Sequence, residues 1–272
     1  MTSAAAGDVS PLRSPYDAAV GRALGDFAET SPPHPHPAEE RAVLGGIVPH
    51  HDIAMGMILR FYNELRAGAA PVKRVFLLAP DHFRRARRWV AVCPGDWALS
   101  NGLLPADREA VAALAGAKVV ETEPALFAEE HGITLHIPLI ARFFPQASVV
   151  PIVLRPDIPD LALLSLRKRL LALLREGDLV ILSMDLSHYK PPEGLTAEDD
   201  RTIPLLVELR TNEIGRADVD ARRAAALVLS LFKSLGAESG ELLERTDSSS
   251  ILGERVESGT SYATLVYRRS SD

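Results

Sequence analysis

The sequence predicts an α/β fold, a single domain with a mostly parallel sheet flanked by helices on both faces. Short apolar runs bounded by turn residues alternate with amphipathic segments from about residue 43 onward. Short runs of this kind are typical of strands buried on both faces. Hydrophobic residues make up 47% and charged residues 24% of the 272 positions. That composition is typical of a globular chain long enough to bury a large core.

The first 40 residues differ from the rest in composition. They are rich in alanine and proline, and residues 31–37 alternate proline with serine and histidine. Because proline at this density blocks both helical and ladder hydrogen bonds, we predict a flexible arm over residues 1–40. A short helix near residues 15–28 is compatible with that arm. The α/β domain is then expected to occupy residues 41–272.

Six apolar runs predict the strands of the sheet, in chain order. They lie at residues 43–48, 75–79, 89–93, 149–154, 179–183 and 262–267. Pro151 falls inside the fourth run. Since proline cannot donate to a ladder, it predicts that this strand lies at an edge, carries a bulge or has a misplaced boundary.

Apolar residues three and four positions apart predict three helices between these strands. The stripes are Ala54, Ile58, Phe61 and Leu65; then Leu163, Leu166, Leu170 and Leu173; then Val228, Leu231, Phe232 and Leu235. Asp52 stands where the N-terminal cap of the first helix belongs.

Charge and cysteine content exclude several classes of protein. The chain has 30 Lys and Arg against 36 Asp and Glu, a net charge of −6, which does not favour binding to nucleic acid. Cys93 is the only cysteine, so an intrachain disulfide, a zinc ribbon and a CxxC redox site are excluded. The leucine-rich residues 161–174 contain three basic residues and predict no membrane span. A cytoplasmic location is therefore expected.

Three histidines occupy equivalent places after predicted strands. His50, His82 and His188 each follow an apolar run by two to five residues. The carboxyl ends of parallel strands line a common crevice, so these side chains are expected to converge. Two histidines with one carboxylate form the usual non-haem iron(II) site, and Asp185 is the candidate carboxylate or a partner that fixes a histidine tautomer. The alternative is that each histidine caps a helix or binds a loop carbonyl.

Two further histidines lie in residues 131–136. Their spacing does not match HExxH, so no zincin is predicted. His131 is expected to face the crevice and His136 to be packed. His131 or His188 is the candidate acid–base group, because an imidazole near its ordinary pKa moves protons at neutral pH. The basic run at residues 84–88 is either a solvated loop or a site for an anionic substrate.

With these motifs assembled, the chain resembles the Memo family, whose prokaryotic members are called AmmeMemoRadiSam system protein B. The matching stretches are GIVPH at 46–50, LAPDH at 78–82, EHGITLHIP at 130–138, SMDLSH at 183–188 and SYA at 261–263. The family resembles class III extradiol dioxygenases in fold. The resemblance implies that His50 and His82 are metal ligands, that Asp185 and His188 form its SxDxxH element, and that His131 is the histidine of its HSxE element.

The chain departs from the family pattern at several positions, and the first are His51 and Asp52, which follow the GIVPH motif where small residues are usual. Gly132 and Thr134 replace the serine and glutamate of HSxE, and Leu252 stands where some members have a cysteine ligand. Asp247 and Glu254 are the nearby residues that would substitute as oxygen ligands.

Two functions follow as hypotheses. The first is a metal-dependent, dioxygenase-like oxidoreductase with iron(II) at His50, His82 and His188, copper or zinc being alternatives, acting on a small molecule that the sequence does not name. The second is a non-catalytic metal-binding adaptor that works through protein partners. The departures at Thr134 and Leu252 favour the second, and a degenerate site kept only for packing is a third interpretation.

Overall fold

A computed structural model describes residues 10–30, 42–68 and 71–270. The strands are β1 (Leu12–Arg13), β2 (Val43–Val48), β3 (Arg74–Pro80), β4 (Val90–Val92), β5 (Trp97–Leu99), β6 (Gly102–Leu104), β7 (Val120–Thr122), β8 (Ser148–Leu154), β9 (Asp178–Ser183), β10 (His188–Lys190), β11 (Gly240–Asp247) and β12 (Gly259–Arg268). The α-helices are α1 (Asp17–Thr30), α2 (Met55–Gly68), α3 (Arg108–Ala115), α4 (Pro124–Phe127), α5 (His131–Thr134), α6 (His136–Phe143), α7 (Asp160–Leu173), α8 (Pro192–Val207), α9 (Arg222–Ser234) and α10 (Ser248–Leu252). Two 3₁₀ helices lie at Asp52–Ala54 and Ile214–Arg216.

A nine-stranded mixed sheet forms the centre of the fold. Its order is β10-β12-β2-β9-β3-β8-β4-β7, and β11 pairs with β12. The four central strands β2, β9, β3 and β8 run parallel, whereas β12 is antiparallel to β2 and β4 is antiparallel to β8. A separate sheet has the order β1-β5-β6. The predicted α/β class is confirmed, with the parallel strands at the centre and antiparallel strands beside them.

Helices cover both faces of the large sheet, as the sequence predicts. Alternate residues of β3 belong to two different cores: Phe76 packs with α3, α7 and α9, and Leu77 packs with α2 and α6. Both side chains are fully buried. The alternation follows from the two-residue period of a strand, and it explains why the runs are apolar at every position. The three predicted apolar stripes lie on α2, α7 and α9, except that Ala54 ends the 3₁₀ helix before α2 and Leu235 is the C-terminal cap of α9.

Two glycines let β2 lie between its neighbours. A Cβ atom on Gly45, whose φ is +140°, would lie 1.8 Å from the carbonyl oxygen of Val180 in β9. A Cβ atom on Gly46 would lie 2.2 Å from the carbonyl oxygen of Leu265 in β12. Only residues without a side chain fit here, so this pair fixes the path of the strand that leads into His50.

The interpretation of Pro151 as an edge, bulge or boundary marker is wrong. It lies in β8, which pairs with β3 on one side and β4 on the other. Val149 donates its backbone N–H to the carbonyl of Pro105, on the side away from β3. Alternation along the strand puts the Pro151 nitrogen on that same side, where β4 pairs only with residues 152–154. The backbone N–H that Pro151 lacks would therefore face a stretch where no residue of β4 pairs with β8.

Residues 10–30 pack against the domain, although the predicted arm includes them. β1 pairs with β5, and α1 packs against α2 and α6. Val20 is buried, and the Ser14 hydroxyl donates to the Thr134 carbonyl at 2.6 Å. The proline-rich residues 31–37 lie outside the described residues, and the boundary at residue 40 stays a prediction.

The prediction that Asp52 caps α2 is wrong. A 3₁₀ helix begins at Asp52 and precedes α2, so Asp52 is already in the first turn. The cap position belongs to His51, whose side chain makes no capping hydrogen bond. None of the helices within residues 10–30, 42–68 and 71–270 combines the length and the apolar character needed to cross a membrane.

Candidate metal centre

Three neighbouring parallel strands deliver the first two histidines and Asp185 to one edge of the sheet. His50 follows β2 and His82 follows β3, and β9, which lies between them, leads into Asp185. His131 begins α5, which packs on β3. Because β2, β9 and β3 run parallel, their carboxyl ends lie at the same edge of the sheet. This is where the sequence predicts that these side chains gather.

The structure brings three imidazoles into contact. The ring centroids of His50 and His82 are 4.7 Å apart, those of His50 and His131 are 4.9 Å apart, and those of His82 and His131 are 4.1 Å apart. One ring nitrogen from each lies within 4.8 Å of the others. His131, predicted as an acid–base group, thus lies among the predicted ligands.

Asp220 brings one carboxylate oxygen close to the Nε2 atoms of both strand-end histidines, and sequence reasoning missed it. Its Oδ2 atom lies 3.0 Å from Nε2 of His50 and 3.6 Å from Nε2 of His82. Its Oδ1 atom is buried and has no hydrogen-bond partner within the described part of the chain. Asp220 comes from the loop before α9, where no apolar run precedes it, so the strand-end signal that found the histidines is absent.

Neighbouring side chains orient both imidazoles toward Asp220. Nδ1 of His50 lies 2.9 Å from the Ser183 hydroxyl, and Nδ1 of His82 lies 2.6 Å from Oε1 of Glu130. With each Nδ1 engaged, the two Nε2 atoms face the centre. Partners of this kind fix the tautomer and the ring angle of metal-binding histidines.

Asp185, the predicted carboxylate, supports the centre from the side of β9. Its Oδ1 atom accepts the backbone N–H of His50 at 3.1 Å, and its own N–H donates to Oδ2 of Asp220 at 3.3 Å. Its Oδ2 atom lies 3.7 Å from Nε2 of His50. Asp185 therefore joins His50 and Asp220 in a second group of side chains able to hold a cation.

The electrostatics of the cluster shift the pKa values of His82 and His131 in opposite directions. Burial lowers the pKa of His82, but hydrogen bonds to Asp220 and Glu130 outweigh burial and raise the pKa to about 10. Burial and the nearby charges of His50 and His82 lower the pKa of His131 to about 4. Burial raises the pKa of Asp220, but His50 and His82 outweigh it and hold that pKa well below the ordinary value. Without a cation, the carboxylates thus keep His82 protonated while His131 is neutral.

His188, predicted both as a ligand and as an acid–base group, lies apart from the three-histidine cluster. It begins β10, and its Nε2 atom is 3.8 Å from Oδ2 of Asp185. It belongs to neither group of potential ligands within the described residues. His51 lies on another side of Asp185, with Nδ1 2.7 Å from the Tyr262 hydroxyl and 3.7 Å from the Asp185 carboxylate. The ligand and acid–base roles of His188 stay predictions.

Two non-glycine residues near the histidines have left-handed backbone. Arg84 has φ +51° and Tyr189 has φ +59°, and they follow His82 by two residues and His188 by one. Phe83 and Tyr189 are 52% and 82% exposed. Asp81 accepts the backbone N–H groups of Arg85 and Ala86, which shapes the loop after β3. In the basic run, Arg85 pairs with Glu129 and Arg87 pairs with Glu123, so surface ion pairs compensate two of its four arginines.

The two substitute oxygen ligands suggested from the sequence do not reach the centre. Asp247 caps α10, where its Oδ1 atom accepts the N–H groups of Ser249 and Ser250. Glu254 is exposed after α10. Neither belongs to a group of potential metal ligands among the residues described. Asp220 is instead a carboxylate that lies at the centre.

His136 is packed, as the sequence predicts, and lies fully buried with Nδ1 3.1 Å from the Tyr62 hydroxyl. Cys93 is also buried. Burial raises the pKa of its thiol to about 11, which keeps it protonated.

Comparison with known proteins decides the family. The family model described as Memo-like protein matches residues 16–266. The chain belongs to the Memo family. The match includes α1, the metal centre and every strand from β2 to Val266 in β12, and leaves out β1.

Curated Memo family relatives are distant in sequence but similar in length. A MEMO1 family protein of Pyrobaculum arsenaticum is 25% identical over 83% of this chain and 84% of the relative. A MEMO1 family protein of Nitrosopumilus maritimus is 23% identical over 78% of this chain and 80% of the relative. A solved structure of an uncharacterized protein from Escherichia coli K12 aligns with a TM-score of 0.49 and 12% identity, over 76% of this chain and 91% of that chain.

Proposed function

We propose that this Memo family protein is a metal-dependent oxidoreductase that holds iron(II) through His50, His82 and Asp220. One observation carries the proposal. Two imidazole Nε2 atoms and one carboxylate oxygen converge, with each imidazole fixed from behind through its Nδ1 atom. Two histidines and one carboxylate, with positions left open, are the set that non-haem iron(II) oxygenases use.

The residues present fit a divalent cation. Ligand atoms about 2.1 Å from one metal lie about 3.0 to 3.4 Å from each other. The nitrogen-to-oxygen distance is 3.0 Å for His50, within that range, and 3.6 Å for His82, slightly beyond it, so His82 would move toward the cation on binding. The Oδ1 atom of Asp220 is a buried acceptor with no partner in the described chain, which a cation would satisfy. The donors are nitrogen and oxygen, which suit iron, and imidazole also suits copper and zinc.

A bound iron(II) would supply a redox centre with open positions for a substrate and dioxygen. His131 lies beside the proposed ligands with its pKa lowered to about 4, so at neutral pH it is a neutral imidazole and a weaker base than an ordinary histidine; in this proposal it takes up a proton only transiently. His188, partly exposed and 3.8 Å from Asp185, is the second proton carrier in this proposal. Asp185 keeps His50 and Asp220 in place through backbone hydrogen bonds.

The first test measures metal content after anaerobic purification, with iron(II) titrations of the wild type and Asp220→Asn. We expect about one iron per chain in the wild type and at least about tenfold weaker binding in Asp220→Asn, because a neutral amide replaces the anionic ligand. Asp218→Asn is the matched control. It lies two residues away and pairs with Lys190, so it should bind iron like the wild type.

Oxygen uptake by the iron-loaded protein, screened with small molecules, then tests the oxidoreductase. Uptake that needs Asp220 and a particular substrate supports the proposal. No metal above background under any loading condition contradicts it. Stoichiometric iron without oxygen uptake contradicts the enzyme and leaves the non-catalytic, partner-binding function.

A further inference from the structure

A groove between α7 and α9 lies outside the metal centre. It has a cavity volume of about 890 Å³ and is lined by both helices and by Thr211, Asn212 and Gly215. Volumes of this size are typical of ligand-binding clefts. The groove takes no part in the metal centre proposed above, although it begins two residues beyond Asp220.

Three cationic side chains line the groove without an acidic partner. Arg222 and Lys233 are exposed, and neither side chain has a hydrogen bond or ion pair within the described residues. Arg167 is held by two hydroxyls of α9, at 3.0 Å from Ser230 and 2.5 Å from Ser234. Both contacts are neutral, so the guanidinium charge is not compensated.

One acidic residue lines the groove, and an ion pair already neutralises its charge. Asp160 accepts from Arg223 at 2.5 Å, and this pair is neutral as a unit. The remaining three cations therefore give the groove a net positive charge in a chain whose total is −6. Arg222 also lies in the first turn of α9, where the helix dipole disfavours a cation. An anion bound in the groove would offset both the net positive charge and the unfavourable interaction of Arg222 with the helix dipole.

The groove also has an apolar part that continues onto the surface. Leu163, Leu227 and Ala226 line it. Leu164, another lining residue, is 59% exposed, and Leu161, three positions earlier on α7, is 83% exposed. Leucines three positions apart lie on one face of a helix, so α7 presents an apolar strip beside the cations.

The spacing of the charges indicates an elongated ligand. Arg222 and Lys233 are eleven residues apart on one helix, which is about 16 Å along its axis. A small anion would neutralise one end and leave the other unpaired. A nucleic-acid backbone would neutralise the cations but leave the leucines exposed. A helix of three turns with carboxylates on one side and apolar residues on the other matches both the length and the chemistry.

We propose that the groove between α7 and α9 docks an acidic amphipathic helix of a partner protein. Its carboxylates pair with Arg167, Arg222 and Lys233. Its apolar face covers Leu161, Leu164 and the groove floor. Pairing of this kind sets orientation and association rate, while the apolar contacts supply most of the affinity.

The probe is a fluorescein-labelled synthetic peptide of about four helical turns, built from leucine and glutamate with leucines at helical spacing. Fluorescence anisotropy should show saturable binding that weakens as salt is added. A peptide with lysine in place of glutamate should not bind. A scrambled peptide of the same composition should bind at least about tenfold more weakly, because its leucines no longer share one face.

The double variant Arg222→Glu with Lys233→Glu should weaken binding at least about tenfold, because it reverses the charge at both ends of the groove. Arg22→Glu is the matched control: Arg22 is exposed on α1, which packs against α2 and α6 on the opposite face of the sheet from α7 and α9, so this variant should bind like the wild type. Circular dichroism and iron content of all variants should be unchanged, which separates this test from that of the metal site.

Three outcomes would overturn the proposal. The first is equal binding of the acidic and basic peptides, or no binding up to about 1 mM. The second is binding that the double variant leaves unchanged. The third is a dimer in sedimentation velocity that the double variant dissociates, which would assign the groove to a second copy of this chain.

Discussion

Glu130 connects the fold to the metal centre through one buried carboxylate. Oε1 lies 2.6 Å from Nδ1 of His82 and accepts the backbone N–H of Gly132 at the start of α5. Oε2 accepts the backbone N–H of His82. Burial raises the pKa of Glu130, but the hydrogen bond and charge of His82 outweigh burial and lower it. The ionised carboxylate thus both caps a helix and fixes a proposed ligand.

The raised pKa of His82 predicts that metal affinity increases with pH. A metal binds the unprotonated imidazole, and without metal the proton stays on His82 up to a pKa of about 10. Binding at pH 7.5 should therefore release at least about one proton, and affinity should rise about tenfold per pH unit until the pH passes 10. Calorimetry in buffers of different ionisation enthalpy measures the released protons.

Two variants distinguish proton release from His82 from a general effect of pH on metal affinity. Glu130→Gln removes one of the charges that raise the pKa of His82, so the break in its affinity profile should move to lower pH. Glu129→Gln changes an exposed neighbour and should leave the profile in place. Affinity that does not change between pH 6 and 9, or zero proton release, would contradict the linkage.

Sequence reasoning found the histidines but not the carboxylate, for a local reason. His50 and His82 follow apolar strands directly, so their place at the sheet edge could be predicted. Asp220 lies in a loop, and tertiary packing rather than local sequence places that loop at the sheet edge beside these histidines. His188 was grouped with the other two because an apolar run precedes it. However, four residues separate it from β9, and it begins a different strand.

At the scale of elements, the centre depends on how closely α5 approaches β3. A Cβ atom on Gly132 would lie 2.9 Å from Cβ of Ala79, 3.3 Å from the Ser183 hydroxyl and 3.4 Å from Oε1 of Glu130. Glycine at this position lets α5 carry His131 against the strand that carries His82. The family's serine at this position would need these neighbours to shift.

Gly132→Ala should therefore destabilise the protein by about 1 to 3 kcal/mol, as overpacking of a filled core does. Because two of the crowded atoms belong to groups that orient His50 and His82, iron affinity should fall as well. Urea denaturation and iron titration measure the two effects.

Gly56→Ala is the matched control for that variant. Gly56 lies in α2, and an added Cβ would meet only the end of the Arg60 side chain, at 3.4 Å. Alanine there should stabilise the helix by about 0.5 to 1 kcal/mol and leave iron binding unchanged. Equal stability of Gly132→Ala and the wild type would show that α5 moves freely over β3.

The elements themselves could largely be predicted, because buried strands and amphipathic helices have different periods. The runs at 43–48 and 179–183 coincide with β2 and β9 within one residue. The error at Pro151 arose because the sequence does not show how far β4 extends along β8. A proline is tolerated in an inner strand where its neighbour pairs with only three residues.

For the whole molecule, the proposed ligands are far apart in the chain. His50, His82 and Asp220 span 170 residues and meet only when the central strands and the loop before α9 are in place. In the unfolded chain these three side chains do not come together. Metal binding at the proposed site would therefore be coupled to global folding rather than to a local loop.

Iron(II) should consequently raise the thermal stability of the protein. At a concentration about 100-fold above the dissociation constant, the metal should add about 2.7 kcal/mol to the free energy of unfolding. For a domain of this size that corresponds to a rise in melting temperature of about 5 to 10 °C. Anaerobic scanning fluorimetry with and without a chelator measures it. His50→Ala should melt at one temperature in both conditions, whereas an equal shift in that variant would place the binding site elsewhere.

The left-handed backbone at Arg84 and Tyr189 has a consequence for protein engineering. An L-residue in that conformation costs about 1 to 2 kcal/mol, and glycine largely avoids the cost. A screen for heat resistance alone would therefore favour glycine at both positions. Arg84 lies in the loop two residues after His82 and Tyr189 lies in β10 next to His188, so such variants should tolerate heat while losing the fixed backbone beside these two histidines. Thermostability would then be gained at the expense of activity, and a screen of this protein should select for both.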